Sequence, residues 1–209
     1  MLHRITSLDE LRGHYRQPHP LVIAKAQPRL DPATRRFIEA TRLLVLATVG
    51  ADGTTDASPR GGPAGFVRVL DEHTVAFADA SGNNRLDSLT NIVETGQVGL
   101  LLIAPGHDET VRINGRAHLS VDPDLLASFD ETHPRSVVVV EVDTTYVHCA
   151  KAFRRGAVWR PDQWIDAVPD AADVLVCQGV ADVDAALIRH ELEQDYASDL
   201  AAEGNPDLR

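Results

Sequence analysis

The chain has 209 residues, of which 44% are hydrophobic, and this suits a single domain with enough apolar side chains for a core. Its 31 acidic and 20 basic residues give a net charge of −11, which argues against nucleic acids and anionic membranes as partners. No apolar run approaches the ~20 residues that cross a bilayer, and no signal-peptide apolar region follows the start. We therefore expect a cytoplasmic protein. Two cysteines predict neither a disulfide framework nor a metal cluster.

The N-terminal part of the chain predicts an arm, a helix and a hairpin. Residues 1–30 mix charged residues, histidines and prolines, as expected for an arm packed against the body. Asp31 and Pro32 predict a helix start, because aspartate is a good cap and proline fits the first helical position. The apolar run at 43–49 predicts a buried strand. A turn at 50–53 should return the chain as an antiparallel strand over 54–58, ended by Pro59.

Further strands and short helices follow. Alternating or β-branched runs predict strands at 65–70, 74–78, 98–103, 109–120 and 137–147. Apolar residues at helical spacing predict helices over 85–93 and 122–129. Short antiparallel strands separated by turns every ~8–12 residues are typical of a barrel or a sandwich.

The composition changes after Trp164, where alanine and aspartate become abundant. Helical spacing over 182–200 predicts a helix there. We therefore divide the chain into an N-terminal arm (1–30), a main domain (31–164) and a C-terminal helical appendage (165–209).

Two polar segments predict a pocket for a phosphate-bearing ligand. Ala-Ser-Pro-Arg-Gly-Gly at 57–62 ends a strand and supplies a hydroxyl, a guanidinium and flexible backbone. Gly-Asn-Asn-Arg at 82–85 lies where a strand turns into a helix, with Arg85 expected in the first helical turn. Free N–H groups at a helix start and an arginine fork both suit phosphate oxygens. Alternatively, Asn83 or Asn84 only caps the helix while Arg85 is solvated.

Several weak motifs occur in an order that resembles one protein family. They are the strand at 43–49, the turn at 50–53, Ser-Pro-Arg-Gly at 58–61, Gly-Asn-Asn-Arg at 82–85, the strand at 98–103 and Val-Arg-Ile-Asn-Gly-Arg at 111–116. This order and spacing resemble the pyridoxamine-phosphate-oxidase-like family of FMN-binding split-barrel flavoproteins, over roughly residues 35–160.

The resemblance implies a mainly β fold, namely an FMN-binding split β-barrel with flanking helices, and a homodimer with the flavin at the subunit interface. It implies an FMN-dependent oxidoreductase that acts on a small-molecule substrate or electron donor by two-electron transfer. The flavin ring supplies the chemistry, so no catalytic side chain is assigned. The alternative is a non-catalytic flavin, deazaflavin or haem binding module for storage or sensing. The flavin-binding candidates are Ser58, Pro59, Arg60, Gly61, Asn83, Asn84, Arg85, Asn91, Thr110, Arg112 and Trp159.

Three of these candidates have ordinary structural alternatives. Strand alternation puts Thr110 and Arg112 on one face, which in the family reaches a flavin near the dimer interface but could equally be a half-exposed strand. Trp159 either packs over the flavin or belongs to the core. Cys149 follows His148, but neighbouring strand residues point to opposite faces, which disfavours thiol catalysis.

The chain departs from the family pattern at two places. The family carries Ser-x-Lys where this chain has Asn83-Asn84-Arg85, so the positive charge is retained in a chain with 18 arginines and 2 lysines. The family's phosphate oxidases carry Arg-x-Val-Leu-Leu-Lys where this chain has Ser-Pro-Arg-Gly-Gly-Pro at 58–63, and an Arg-x-His pair that is missing around 159–164. A third hypothesis, a pyridoxal-phosphate-related oxidase, is therefore disfavoured.

Overall fold

A computed structural model of the protein describes residues 3–80, 82–129, 134–165, 167–179 and 184–204. Within these residues the strands are β1 (Leu43–Val49), β2 (Thr55–Gly61), β3 (Val67–Val69), β4 (Thr74–Ala78), β5 (Gln97–Ile103), β6 (Thr110–Ser120) and β7 (Val137–His148). They form one antiparallel sheet in the order β2-β1-β5-β6-β7-β4-β3. Each predicted strand is present, with its ends shifted by three residues at most.

The helices flank this sheet. They are α1 (Leu8–Gly13), α2 (Pro20–Ala24), α3 (Pro32–Ala40), α4 (Asp87–Thr95), α5 (Pro123–Ser128), α6 (Lys151–Arg155), α7 (Ala171–Cys177) and α8 (Ala185–Ala202), with a 3-10 turn at Pro161–Gln163. Asp31 caps α3 as predicted, because its side chain accepts hydrogen bonds from the backbone N–H groups of Ala33 and Thr34. None of the helices in the described part of the chain is long and apolar enough to span a bilayer.

The strand β2 extends past the proline that was predicted to end it. Pro59 lies opposite Val45 of β1, and the pairing continues to Gly61, opposite Leu43. The prediction was wrong because β2 is the edge strand of the sheet, where a proline without an N–H costs no ladder hydrogen bond on its open side. Ser58 lies in the strand as predicted, and the extension places Arg60 there too. Their backbone positions are therefore fixed by the sheet rather than by a turn.

A β-bulge in the two longest strands lets the sheet curve. The register of β6 on β7 shifts between Asn114 and Gly115, and a bulge of this kind bends a strand and increases its twist. A Cβ atom at Gly115 would lie 1.9 Å from the carbonyl oxygen of Glu141, so only glycine fits this close approach.

Both ends of the sheet pack around one core. Leu44 and Leu46 of β1 share a hydrophobic cluster with Val67 of β3 and with Val75 and Phe77 of β4. β1 and β4 lie on opposite sides of the β5-β6-β7 centre in the strand order, so the sheet closes around this core. The mainly β fold with flanking helices, a split barrel, is confirmed.

The helix α4 begins later than predicted. Its N-cap is Leu86, which has a positive φ of 61° and no side-chain cap hydrogen bond, and Asn84 also has a positive φ of 57°. Arg85 therefore lies in the loop before the helix and not in its first turn, which corrects the prediction. Two of three consecutive residues thus have a left-handed backbone conformation. This conformation is unfavourable for residues other than glycine, and the surrounding structure must offset its cost.

The terminal segments lie largely outside the core. Every residue of α1 and α2 is at least partly exposed, and the arm joins the body where Gln27 pairs with Thr145 of β7. At the other end, α7 and α8 pack on each other, and Arg189 of α8 bonds to Asp170 and Asp173. The predicted helix at 182–200 corresponds to α8.

Candidate functional site

A cavity of about 990 Å³ opens beside the edge strand β2 and the start of α4. This volume lies near the upper end of the ~300–1,000 Å³ that small-molecule sites occupy. Its described lining comprises Asp56, Ser58, Pro59, Arg60, Gly61, Phe66, Ala78, Asp79, Ala80, Gly82, Asn83, Asn84, Arg85, Leu86, Asp87, Ser88, Leu89, Arg135, Ser136, Ala202 and Glu203. The two polar segments identified in the sequence therefore lie together, on β2 and on the loop before α4.

The loop before α4 presents amides and arginines to this cavity. Asn83 accepts a hydrogen bond from the backbone N–H of Arg85 at 3.0 Å, and the guanidinium of Arg85 donates to Asp87 at 2.9 Å. Arg135, just before β7, donates to the side-chain oxygen of Asn84 at 3.3 Å. The Arg85 side chain is 73% exposed, so its guanidinium is free to rotate toward an anion. This wall can bind a phosphate through charge-assisted hydrogen bonds.

A third arginine enters the cavity from β2. Arg60 lies opposite the buried Leu44, so its side chain projects from the core face of the sheet, and its Nη1 donates to the carbonyl of Pro59 at 3.0 Å. Its Nε is buried and makes no hydrogen bond within the described residues. A buried donor without a partner is costly, and a ligand oxygen in the cavity would satisfy it. Arg60, Arg85 and Arg135 thus fit a phosphate group.

An acidic side chain sits among these arginines. Asp79 follows β4 and is half-buried in the cavity wall. Burial raises the pKa of its carboxyl above the usual 3.8, while the charges of Arg60 and Arg135 partly oppose that rise. The ionised form of Asp79 is therefore disfavoured by desolvation, which is an unfavourable contribution to folding at neutral pH.

This cost predicts that Asp79→Asn raises the melting temperature at pH 7. An aspartate with a raised folded-state pKa destabilises the protein above that pKa, and the cost disappears as protonation proceeds toward pH 3.8. The stability gain of the variant should therefore shrink as the pH falls to 4. Thermal unfolding at several pH values measures it, with the exposed Asp195→Asn on α8 as the control. A stability gain that is constant with pH would contradict a raised pKa of Asp79 in the folded protein.

Hydrogen bonds among Asp56, Ser58 and Ser88 link β2 to α4. The hydroxyl of Ser88 donates to a carboxylate oxygen of Asp56 at 2.5 Å. The same hydroxyl lies 2.8 Å from that of Ser58. Ser88 is 3% exposed and lies in the first turn of α4, facing the edge strand. The three side chains line the cavity next to the arginines.

Four of the predicted binding residues lie away from the cavity in the single chain. Asn91 is half-buried and donates to the hydroxyl of Thr48 at 2.9 Å. Thr110 is 4% exposed. Trp159 donates its indole N–H to the carbonyl of His107 at 2.8 Å and packs near Phe153. Arg112 lies on the outer face of the sheet. Their roles in flavin binding stay predictions.

Arg112 belongs to a cationic and aromatic cluster at the ends of β6 and β7. Its guanidinium lies 4.4 Å from the ring centroid of Tyr146, and the ammonium of Lys25 lies 5.3 Å from the same ring. The ring of His148 is 4.9 Å from that of Tyr146. Burial lowers the pKa of His148, and the charges of Arg112 and Lys25 lower it further. These effects therefore favour the neutral form of His148.

The polar residues of the cavity that sequence reasoning missed include Asp56, Asp79, Ser88 and Arg135. Alternation along β2 was a usable signal for Asp56, because residues 56, 58 and 60 share one face. Asp79 directly follows a predicted strand, as binding residues often do. Arg135 had no such signal, since only the tertiary fold brings the start of β7 beside the loop at 82–86.

The fold and cavity define a split-barrel domain with an arginine-lined cavity at the edge of its sheet. The family model of pyridoxamine 5′-phosphate oxidase matches residues 30–149, more than half of the chain. The protein therefore belongs to the pyridoxamine 5′-phosphate oxidase family. No curated protein matches the chain in sequence.

Several solved structures are similar to this chain. HupZ of Group A Streptococcus is 17% identical, with 55% of this chain and 90% of that chain covered and a TM-score of 0.43. An FMN-binding protein of Syntrophomonas wolfei is 12% identical, with coverages of 68% and 97% and a TM-score of 0.42. The FAD binding protein of Mycobacterium smegmatis is 20% identical, with coverages of 58% and 98% and a TM-score of 0.39. These identities and scores are low, so the assignment rests on the family model.

Proposed function

We propose that the protein is an FMN-dependent oxidoreductase that binds the flavin phosphate in the cavity between β2 and α4. The observation that carries the proposal is the convergence of Arg60, Arg85 and Arg135 on one cavity in a family whose model matches 30–149. A bound flavin would supply two-electron redox chemistry. The arginines would hold its phosphate, and the walls of the cavity would orient the rest of the molecule.

The experiment that tests this function has two steps. The ligand that co-purifies with the protein is identified by mass spectrometry and absorption, and we expect FMN. Stopped-flow mixing with NADH or NADPH then follows the loss of flavin absorbance, and we expect reduction by at least one donor. Haem or a deazaflavin as the ligand would contradict the FMN assignment. FMN that no donor reduces would instead support a binding module.

We further propose a homodimer formed through the outer face of the sheet. Pro59, Val45, Leu101, Arg112 and Tyr146 lie side by side across five strands, because each is the register partner of the next. Directly opposite residues share a face of the sheet, so this row is apolar at one end and cationic at the other. Leu43 on the same face is 41% exposed. An exposed apolar sheet face of this kind is typical of an interface.

The apolar residues at the start of β7 do not contribute to this surface. Val138 and Val140 face the main core. Val137 and Val139 are covered by a second cluster around Phe129 and α5. The apolar surface available for a partner therefore comes from β1 and β5.

The dimer is tested by sedimentation at low micromolar concentration. We expect about twice the chain mass of 22.7 kDa, because loss of the partner would expose the apolar face. Leu43→Asp should yield monomers, since it places a charge in the interface. The matched control is Leu187→Asp on α8, where the leucine is similarly exposed at 47%. A wild-type monomer that holds stoichiometric flavin would contradict an interface site.

A further inference from the structure

The hydrogen bonds among Asp56, Ser88 and Ser58 fix the direction of each proton. An ionised carboxylate only accepts hydrogen bonds, while a serine hydroxyl has one proton and two lone pairs. Ser88 donates its single proton to Asp56. The proton in the contact between the two serines must then come from Ser58. Ser58 therefore presents lone pairs, and no proton, to the cavity.

This arrangement is held in place on both sides. Ser88 is 3% exposed, so water does not compete for its hydroxyl. Ser58 is fixed on β2 opposite Leu46, and Ser88 is fixed in the first turn of α4. Reversing the serine pair would leave the Asp56 carboxylate without the Ser88 proton, and losing a hydrogen bond to a charged group is costly.

A phosphate dianion offers acceptors only and gains nothing from an oxygen that offers lone pairs. Phosphate esters are mostly dianionic at neutral pH, since their second pKa is about 6. A sugar or polyol hydroxyl, in contrast, can donate to Ser58. The charged donors of Arg85 and Arg135 lie on the loop before α4 and just before β7, and Arg60 lies two residues along β2 from Ser58, on the same face. The cavity therefore combines charged donors for an anion with an uncharged acceptor for hydroxyls.

We propose that Asp56 and Ser88 fix Ser58 as a hydrogen-bond acceptor, so that Ser58 recognises the hydroxyl-bearing chain of a phosphorylated polyol ligand and not its phosphate. Ser58 is then a specificity residue, and Asp56 and Ser88 are positioning residues that act through it. The inference rests on the proposed function, in which the ligand is a flavin with a phosphorylated polyol chain.

The test compares three flavins on the full-length apo-protein by fluorescence titration. Lumiflavin carries the ring alone, riboflavin adds the hydroxyl chain, and FMN adds the phosphate. The affinity ratio of riboflavin to lumiflavin measures recognition of the hydroxyls, and that of FMN to riboflavin measures recognition of the phosphate. Inorganic phosphate, titrated by calorimetry, provides a measure of the anion site that does not depend on the flavin ring.

Ser58→Ala should lower the riboflavin-to-lumiflavin ratio about fivefold, the effect of one ordinary hydrogen bond. It should leave the FMN-to-riboflavin ratio and the affinity for inorganic phosphate unchanged. Arg85→Ala should instead lower the FMN-to-riboflavin ratio and the affinity for inorganic phosphate, and should leave the riboflavin-to-lumiflavin ratio unchanged. Ser88→Ala should lower the first ratio as well, because it frees the Ser58 proton to point into the cavity. Thr90→Ala, an exposed hydroxyl on the same helix and outside the lining, is the control and should change neither ratio.

The inference is overturned if Ser58→Ala lowers the affinity for inorganic phosphate, or the FMN-to-riboflavin affinity ratio, as strongly as Arg85→Ala does. In that case Ser58 donates to the phosphate, while the proposed flavin site stands. A wild-type protein that binds none of the three flavins would overturn the proposed function and the polyol assignment with it. The phosphate titration distinguishes these failures, because it still shows which of Ser58 and Arg85 contacts an anion.

Discussion

Replacing Arg85 with alanine should weaken FMN binding about thirtyfold. The guanidinium lines the cavity beside Asn83 and Arg135 and, within the described residues, forms an exposed pair with Asp87. Exposed pairs of this kind contribute little, so Arg85 can turn to a phosphate at small cost. A charge-assisted hydrogen bond contributes ~1.5–3 kcal/mol, and about 2 kcal/mol corresponds to the expected change. Titration of apo-protein with FMN, followed by flavin fluorescence, measures it.

Two further variants serve as comparisons for this measurement. Arg85→Lys should retain part of the affinity, because it keeps the charge but loses the planar fork. Arg36→Ala removes an exposed arginine of α3 that lies outside the cavity lining and should leave the dissociation constant unchanged. An equal dissociation constant for wild type and Arg85→Ala would remove Arg85 from the site.

Pyridoxamine 5′-phosphate should be a very poor substrate, although the chain belongs to the family that carries its name. Where the related oxidases place a lysine that helps to hold the pyridoxal ligand, this chain has Pro63, which offers neither a charge nor a backbone donor. The segment at 159–164 also lacks the Arg-x-His pair of those enzymes. Each lost charged partner removes ~1.5–3 kcal/mol. Turnover should therefore fall by orders of magnitude.

The assay incubates FMN-loaded protein with pyridoxamine 5′-phosphate in air and measures peroxide and pyridoxal 5′-phosphate. An authentic oxidase of this family, assayed in parallel, shows that the assay detects turnover. Rates on the order of the 1–10³ s⁻¹ typical of enzymes would contradict the prediction and make the pyridoxal-phosphate-related oxidase the preferred hypothesis.

The strands were predictable because their signals are local. The apolar run at 43–49 and the alternation in β6 depend on residues that are adjacent in sequence, and β4 was predicted with its exact bounds. The extent of β2 was not predictable in this way. Whether Pro59 ends a strand depends on whether that strand lies at the edge of the sheet, and strand order is a property of the whole fold.

The candidate site was predictable in part for the same reason. Ser58, Arg60 and Arg85 lie in short polar segments next to strand ends, which a single sequence shows. Arg135 and Asp79 enter the cavity only because β4 and β7 pair, and Ser88 only because α4 packs against β1 and β2. The late start of α4 was missed because the left-handed conformations of Asn84 and Leu86 have no marker such as glycine in the sequence.

The end of α8 reaches the cavity, where Ala202 and Glu203 line the wall together with residues of β2 and the loop before α4. The helix is 18 residues long, or about 27 Å at ~1.5 Å per residue, and it packs on α7. A ligand that contacts this helix end stabilises its docking. Since linkage is reciprocal, docking of the helix end raises the affinity for the ligand by the same factor. Occupancy of the pocket and docking of the end of α8 are thus one coupled equilibrium.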